Sequence, residues 1–262
     1  MSAPPARGPA RAGELSLARL RWTDLAAGEP PLVLVPVGSL EQHGPALGLA
    51  TDAVVAVQVA GLAATRLHEA ADGAEPDVVV APVVAYGASG EHEGFPGTIS
   101  IGHEALALLL VELGRSACGW ARGVVFVNGH GGNVATLVEA VGQLREEGRA
   151  VAWTACRAAG ADAHAGLTET SLMMRVAPRL VHAGDLEVGR TEPVAELMPL
   201  LRQGGVRAVS PNGVLGDPRG ADARHGDRVL EEMVGRLVEE LRLLDVGPGG
   251  RLTVPAPSGA AS

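Results

Sequence analysis

Pro31-Leu-Val-Leu-Val-Pro-Val37 runs straight into Gly38-Ser-Leu-Glu41-Gln-His43-Gly44-Pro45, and this junction decides the fold. An unbroken apolar run bounded by proline and glycine predicts a strand buried on both faces, as in a parallel sheet. Polar residues at its end then fall outside the carboxyl edge, where open α/β sheets place their sites. Glu41 and His43 are two apart, so on an extended segment their side chains share one side. Asp52 follows across a short turn and opens the apolar segment 53–67. Two carboxylates and an imidazole meeting at one point suit a borderline metal ion. A helix cap at Asp52 and a hydrogen-bonded loop histidine explain these residues equally well, so the rest of the chain has to decide.

Working outward, the same pattern recurs. Residues 15–26 read as a short helix or helical turn, and Asp52 is placed to cap a helix over 53–71. Val78-Val-Val-Ala-Pro-Val-Val84 is a second buried strand, emptying into the polar loop from Tyr86 to Thr98 that holds Glu91 and His92. A helix from about His103 towards Trp120 leads to a third strand, Val124-Val-Phe-Val127, which ends in Asn128-Gly-His130-Gly-Gly-Asn133. A helix over 134–146 and a fourth strand, Val151-Ala-Trp-Thr-Ala155, follow. Strands alternating with helices are the signature of βαβ units around a parallel sheet. The first three strands each empty into a glycine-containing loop with a histidine, a recurrence that structure alone does not explain.

Composition narrows the classes. The chain has 262 residues, 47% of them hydrophobic but only 2% aromatic, and a formal net charge of −9. Small aliphatic side chains suit an α/β core, while scarce aromatics and a negative balance argue against a nucleic-acid surface. Cys118 and Cys156 are too far apart for a Cys-x-x-Cys pair and read as buried spectator thiols. No apolar run reaches membrane length and no signal core follows Arg7 and Arg11, so a cytoplasmic protein is expected. Residues 1–13 and 248–262, rich in Pro, Gly and Ala, are expected to be disordered tails around one domain spanning 14–247.

The third loop superficially resembles a phosphate-binding turn, but it lacks the Lys-Ser/Thr of a P-loop and the spacing of a dinucleotide fingerprint. Glycines around His130 would instead let the backbone approach closely while presenting the imidazole as a ligand; a tight turn with an incidental histidine is the alternative. After the fourth strand comes Asp162-Ala-His164-Ala-Gly166-Leu-Thr-Glu169-Thr-Ser171, with a helix expected from about Glu169. One of His164 and Glu169 could ligate while the other works as acid or base; alternatively Thr168 caps the helix and Glu169 complements its dipole. His68, His103, His182 and His225 have no such company and read as structural or solvated. Histidines and carboxylates of this number suit two divalent ions, which lower the pKa of bound water and polarise a carbonyl oxygen, as amide hydrolysis requires. Ser39 and Ser171 lack the Gly-x-Ser-x-Gly elbow of a serine hydrolase.

Five co-linear motifs, from the Glu41–Gly44 junction and Asp52 through Glu91-His92…Phe95-Pro96-Gly97-Thr98 and Asn128–Asn133 to His164–Ser171, together resemble the creatininase family. The resemblance implies a three-layer α/β/α sandwich with a mainly parallel sheet and a two-metal site that hydrolyses C–N bonds. It makes Glu41, His43, Asp52, His130 and Glu169 the metal ligands, with Asp52 the bridge, and two Zn, Fe or Mn ions the cofactors. It makes His164 a proton donor or shuttle, places His92 and Glu91 on the substrate side, and implies a homo-oligomer. Two departures stand out. Creatininase proper resembles Asn-Gly-His-Tyr-Glu-Asn in the third motif, where this chain has Gly131 and Gly132, and its substrate-closing tryptophans have no counterpart in these loops. Creatinine is therefore disfavoured as substrate. The stretch from Leu197 to Arg202 and the one from Gly205 to Ala221 resemble the branch linked to mycofactocin biosynthesis. That resemblance implies a peptidase that releases the crosslinked C-terminal Val-Tyr-derived unit of a modified precursor peptide; a small cyclic amide or formamide is the alternative. Read from the residues alone, Ser210 to Ala221 is a turn cluster on the surface or at an oligomer contact, followed by an amphipathic helix over 230–244.

Overall fold

The computed structural model describes residues 15–70 and 77–254. Its centre is a four-stranded, all-parallel sheet in the order β2-β1-β3-β4. The strands are β1 (Leu32–Val37), β2 (Val78–Val80), β3 (Gly123–Asn128) and β4 (Val151–Ala155). Every residue of β1 and β3 is buried, as the unbroken apolar runs require of strands covered on both faces.

Alternate residues feed two cores. Leu32, Leu34, Val125 and Val127 pack beneath α2 (Thr51–Ala70), α5 (Leu167–Val176) and α7 (Ala223–Leu243). Val33, Val35, Val124 and Phe126 face the other way, against α3 (Gly102–Ala117) and α4 (Val134–Glu146). With α1 (Trp22–Ala26) and α6 (Val194–Val209), these are the α-helices among the described residues, and the expected three-layer α/β/α sandwich is what is seen.

Four expectations need correction. The second strand stops at Val80 instead of Val84. Even-numbered residues of β1 turn their amides towards β2, as the Leu32 N–H bond to Asp77 shows, and Pro36 has no N–H to offer there. The ladder lapses through Pro82 and resumes only where Val84 N–H reaches the Pro36 carbonyl. Asp52 does not cap α2; the helix begins one residue earlier, and Asp52 is buried in its first turn. The last helix starts at Ala223, because the Asp222 carboxylate accepts from the amides of Arg224 and His225.

The expected tail from Pro248 is, as far as Val254, part of the packed structure. Leu252 is 1% exposed, its N–H bonds the Trp153 carbonyl, and Trp153 Nε1 donates to Gly249 O. One buried leucine and an indole donor hold a Gly/Pro-rich segment that composition alone marks as loose. The expected tail at 1–13 lies outside the described residues, as do 255–262. Residues 194–209, for which the sequence offered no element, form α6.

Candidate active site

The carboxyl ends of β1 and β3 lie side by side in register, Val37 opposite Asn128, so the loops leaving them meet. Gly38 lets the first loop press onto α2: a Cβ there would sit 2.5 Å from the backbone of Ala53. Asn133 pins three loops together. Its Nδ2 donates to Gly38 O at 3.0 Å and to Asn128 Oδ1 at 3.2 Å, and its Oδ1 accepts from Ala88 N–H at 2.9 Å. The two asparagines flanking His130 are therefore scaffold.

Asp52 is the pivot of what these loops carry. Its Oδ1 lies 3.3 Å from His43 Nε2, and its Oδ2 lies 3.3 Å from His130 Nδ1. Glu41 Oε2 approaches His130 Nδ1 at 3.2 Å, and Glu169 Oε2, from the first turn of α5, is 3.9 Å from His43 Nε2. The side chains form three groups close enough to hold an ion: Glu41, Asp52 and His130; His43, Asp52 and Glu169; Glu41, His43 and His164. The first two share Asp52, with one oxygen towards each histidine.

Two observations show that these residues fit metal ions. Six buried side-chain polar atoms of the described residues lack a hydrogen-bond partner, and four are Glu41 Oε1, Glu41 Oε2, His43 Nε2 and Asp52 Oδ2. Orphaned polar atoms cost free energy when buried, and all four belong to residues of the ligand groups, where bound cations would offset that cost. The second observation is how the rings are anchored. His43 Nδ1 lies 3.2 Å from Glu41 O, and His130 Nε2 lies 3.2 Å from Ala88 O. Each ring donates to a backbone carbonyl and turns its other nitrogen, bare, to the carboxylates, the usual support of a ligating imidazole.

Without an ion, protons on the histidines take over its electrostatic role. Burial opposes the charged form of His43, but Asp52, by charge and hydrogen bond, with Glu169 and Glu41, lifts its pKa to about 10. His130 is raised well above its ordinary value against the same burial, chiefly by Glu41 and Asp52. Desolvation raises the Glu169 carboxyl to about 7, with Asp52 and Glu41 adding to the shift and His43 opposing it. His164 is lowered well below its usual range, by burial first and then by His43 and His92.

The remaining predicted residues take more specific places. His92, in a short 3₁₀ turn with Glu91, is 4% exposed and turns Nε2 towards Glu41 Oε1 at 3.3 Å. Glu91 sets Oε1 3.4 Å from His130 Nε2, on the far side of that ring from Asp52. Gly132 makes room for it: a Cβ at that position would overlap His130 Nε2 and come within 2.5 Å of Glu91 Oε1 and 2.6 Å of Ala88 O. Glu91 and His92 thus stand beside candidate ligands as well as along the cavity wall. Thr168 does not cap α5; the Asp162 carboxylate accepts from the amides of Leu167 and Thr168. His68, His103, His182 and His225 stay out of every ligand group. Cys118 and Cys156 are free, and burial pushes the Cys156 thiol up to about 12.

The cluster opens into a cavity of about 450 Å³. Asp52, His130, His164 and Glu169 line its floor, and Val194, Met198, Leu201 and Val206 of α6 with Leu215 form an apolar wall. Gly205 (φ +70°) breaks α6 and lets it close on the Glu91 carbonyl, only 2.8 Å from where a Cβ would be. Of the Ser210–Ala221 stretch, read from sequence as a turn cluster on the surface or at an oligomer contact, residues 210–216 back the site: Val214 and Leu215 are buried, and Leu215 pairs with the His164 backbone in both directions. Sequence reading missed this wall, the loop and Gln42. The resemblance over Leu197–Arg202 and Gly205–Ala221 pointed to these stretches, and the glycines at 204, 205, 213 and 216 mark close approaches, but neither signal places them at the site.

Comparison with known proteins agrees with the geometry. The family profile "Creatininase: Creatinine amidohydrolase" matches residues 18–241. A curated protein named "Mycofactocin precursor peptide peptidase" from Mycobacterium ulcerans (strain Agy99) is 54% identical over 223 residues, covering 85% of this chain and 89% of that one. One of the same name from Mycobacterium tuberculosis (strain ATCC 25618 / H37Rv) is 50% identical over 224 residues, with the same coverage. "Creatinine amidohydrolase" from Pseudomonas putida is 29% identical over 259 residues. A solved structure described as "Creatininase Mn" superposes with a TM-score of 0.72 at 25% identity, covering 88% of this chain and 98% of that one. By profile, by sequence and by fold, the chain belongs to the creatininase family.

Proposed function

We propose that this protein is a metal-dependent amide hydrolase that cleaves the modified mycofactocin precursor peptide before its crosslinked C-terminal Val-Tyr-derived unit. One observation carries the chemistry: the fused ligand groups around Asp52, with their orphaned buried atoms, adjoin an open cavity whose floor is lined by Asp52, His130 and Glu169 from those groups. A purely structural ion would have its coordination closed off from solvent. The substrate comes from the 50–54% identity to relatives that carry that peptidase name.

In this reading two divalent ions are held, one by Glu41, Asp52 and His130, the other by His43, Asp52 and Glu169. Histidine and carboxylate donors suit zinc, iron and manganese, and the related structure described with Mn supports the last. Bound there, the ions supply water activation and carbonyl polarisation. The chain's own residues do the rest. The apolar wall of α6 holds the scissile segment against the floor and excludes bulk water. His164, facing the cavity, takes the proton released by the attacking water and passes it to the leaving amine nitrogen. Glu91 and His92 hold His130 and Glu41 in place from behind.

A cytoplasmic location and a homo-oligomer belong to the same reading. The two unpaired thiols fit the first, and the exposed Leu108 and Leu113 of α3, with Trp120 after it, fit the second. Among the described residues no helix is long and apolar enough to cross a membrane.

The test is mass spectrometry of metal-loaded protein incubated with the radical-modified precursor peptide, beside a chelator-treated control. Metal-dependent release of the crosslinked fragment is expected. Bound metal without cleavage would refute this substrate and turn the search to small cyclic amides.

A further inference from the structure

Gln42 stands between two ligand residues, yet as a neutral amide it has no acid–base or ligand chemistry to announce it. Its side chain is 5% exposed, and two neighbours fix which way the amide faces. Gly44 N–H, which can only donate, lies 2.9 Å from Oε1; Gly213 O, which can only accept, lies 3.1 Å from Nε2. One of the two Nε2 protons therefore goes to Gly213. The other has two claimants, His92 Nδ1 at 2.8 Å and His164 Nε2 at 3.0 Å.

The backbone settles the claim. His164 Nε2 is also 2.9 Å from the Gln42 carbonyl oxygen, which can only accept, so that nitrogen carries a proton and cannot take one from the amide. The second amide proton then belongs to His92 Nδ1. The opposite assignment would set a lone pair of His164 against a carbonyl at 2.9 Å and strand His92 Nδ1 beside a nitrogen with no proton left for it.

We propose that Gln42 is a positioning residue that fixes the protons on both histidines, each keeping Nε2–H and a bare Nδ1. For His92 this turns an N–H, and not a lone pair, to the side of Glu41 Oε1, 3.3 Å away. For His164 it leaves Nδ1 bare, 3.8 Å from Glu41 Oε1, on the ring anchored to a carbonyl just as His43 and His130 are. His164 thus enters a reaction ready to receive a proton or bind a cation; of the two roles, donor or shuttle, only the shuttle agrees. Gly213 (φ +80°) is glycine because any Cβ there would overlap the Gln42 amide. The proton placement stands on geometry alone, and its catalytic consequence rests on the amide-hydrolase reading.

Long-range ¹H–¹⁵N correlation spectra of protein labelled with [¹⁵N]histidine test this, metal-free and zinc-loaded, with H92N and H164N variants assigning the signals. In the wild type both rings should show the Nε2–H form. In Gln42→Glu, an acceptor replaces the donor, whether the carboxyl is ionised or protonated towards Gly213 O. His92 should then gain a proton at Nδ1. Gln42→Met keeps the length without donor or acceptor, and His92 should become a mixture of tautomers. Metal content should hold while kcat falls about 10–100-fold with KM little changed, as for lost support behind a metal ligand. Nδ1–H on either ring of the wild type, or an unchanged His92 in both variants, would overturn the proposal. Failure of the wild type to cleave the peptide would strike the functional reading and leave the spectra unaffected.

Discussion

The floor and the wall of the cavity are built on opposite terms. The floor, from the loops after β1 and β3 and the first turns of α2 and α5, is charged, and Glu41, His43, Asp52 and His130 are each at most 5% exposed. The wall, from α6 and Leu215, is apolar; Met198 and Leu201 are only half-buried, and α6 is broken by Gly205. A floor of orphaned lone pairs tolerates little displacement, because in the proposed reading each must reach an ion that its neighbours also hold. A wall that works by shape and area tolerates graded change. Bond-breaking chemistry should therefore reside in the floor and substrate choice in the wall.

Asp52→Asn should break that comparison most sharply. Losing the carboxylate shared by two ligand groups is expected to empty both and cut turnover by about 10³-fold or more, a loss on the scale of removing the main electrostatic stabilisation of a site. Elemental analysis together with peptide turnover checks it; retained metal would end Asp52's role as the bridge. Glu169→Ala should be next, halving the bound metal and abolishing measurable cleavage while leaving Glu41, Asp52 and His130 loaded. Full activity with full metal content in that variant would remove Glu169 from the ligand set.

Acidity offers a graded test of the floor. Ions bind the deprotonated ligands, so the protons that His43 and Glu169 hold in the ion-free site must leave. Between about pH 7 and 10 only His43 of that pair retains one, and apparent affinity at its site should rise about tenfold per pH unit. Below about pH 7 Glu169 is protonated too, and the dependence should steepen to about a hundredfold per unit. Competition titrations with a chromophoric chelator measure the slope; a flat profile would mean that these two groups do not ligate. Met198→Ala or Leu201→Ala should give the smallest effect, raising KM about tenfold, the worth of a partly buried aliphatic contact, with metal content unchanged. A fall in metal content in either variant would erase the division between floor and wall.

Much of this was legible before any coordinates. The apolar runs of β1 and β3 gave the sheet its buried strands, and the five proposed ligands lie in motifs whose residue types have few other uses at strand ends. The wall was hidden for a physical reason. α6 carries Pro199 and the Gly204-Gly205 pair inside it, which break helical periodicity as a reader would score it. Gln42 was overlooked because a neutral amide gains meaning only from the four groups around it. The short β2 depended on a missing N–H in a neighbouring strand, and the ordered segment after Pro248 on a single leucine; both are tertiary facts with local disguises.

Gly132 has a consequence for how such sites diverge. The third motif of creatininase proper resembles one with glutamate at this position, whereas here Glu91 fills the space beside the His130 ring that a Cβ would need. A Gly132→Glu exchange made first would force two carboxylates and an imidazole into one volume, and an exchange at Glu91 made first would leave His130 Nε2 with the Ala88 carbonyl but no carboxylate beside it. The two positions, 41 apart in the chain, are therefore coupled through one volume, and an exchange of the acid between them is expected to need both substitutions together.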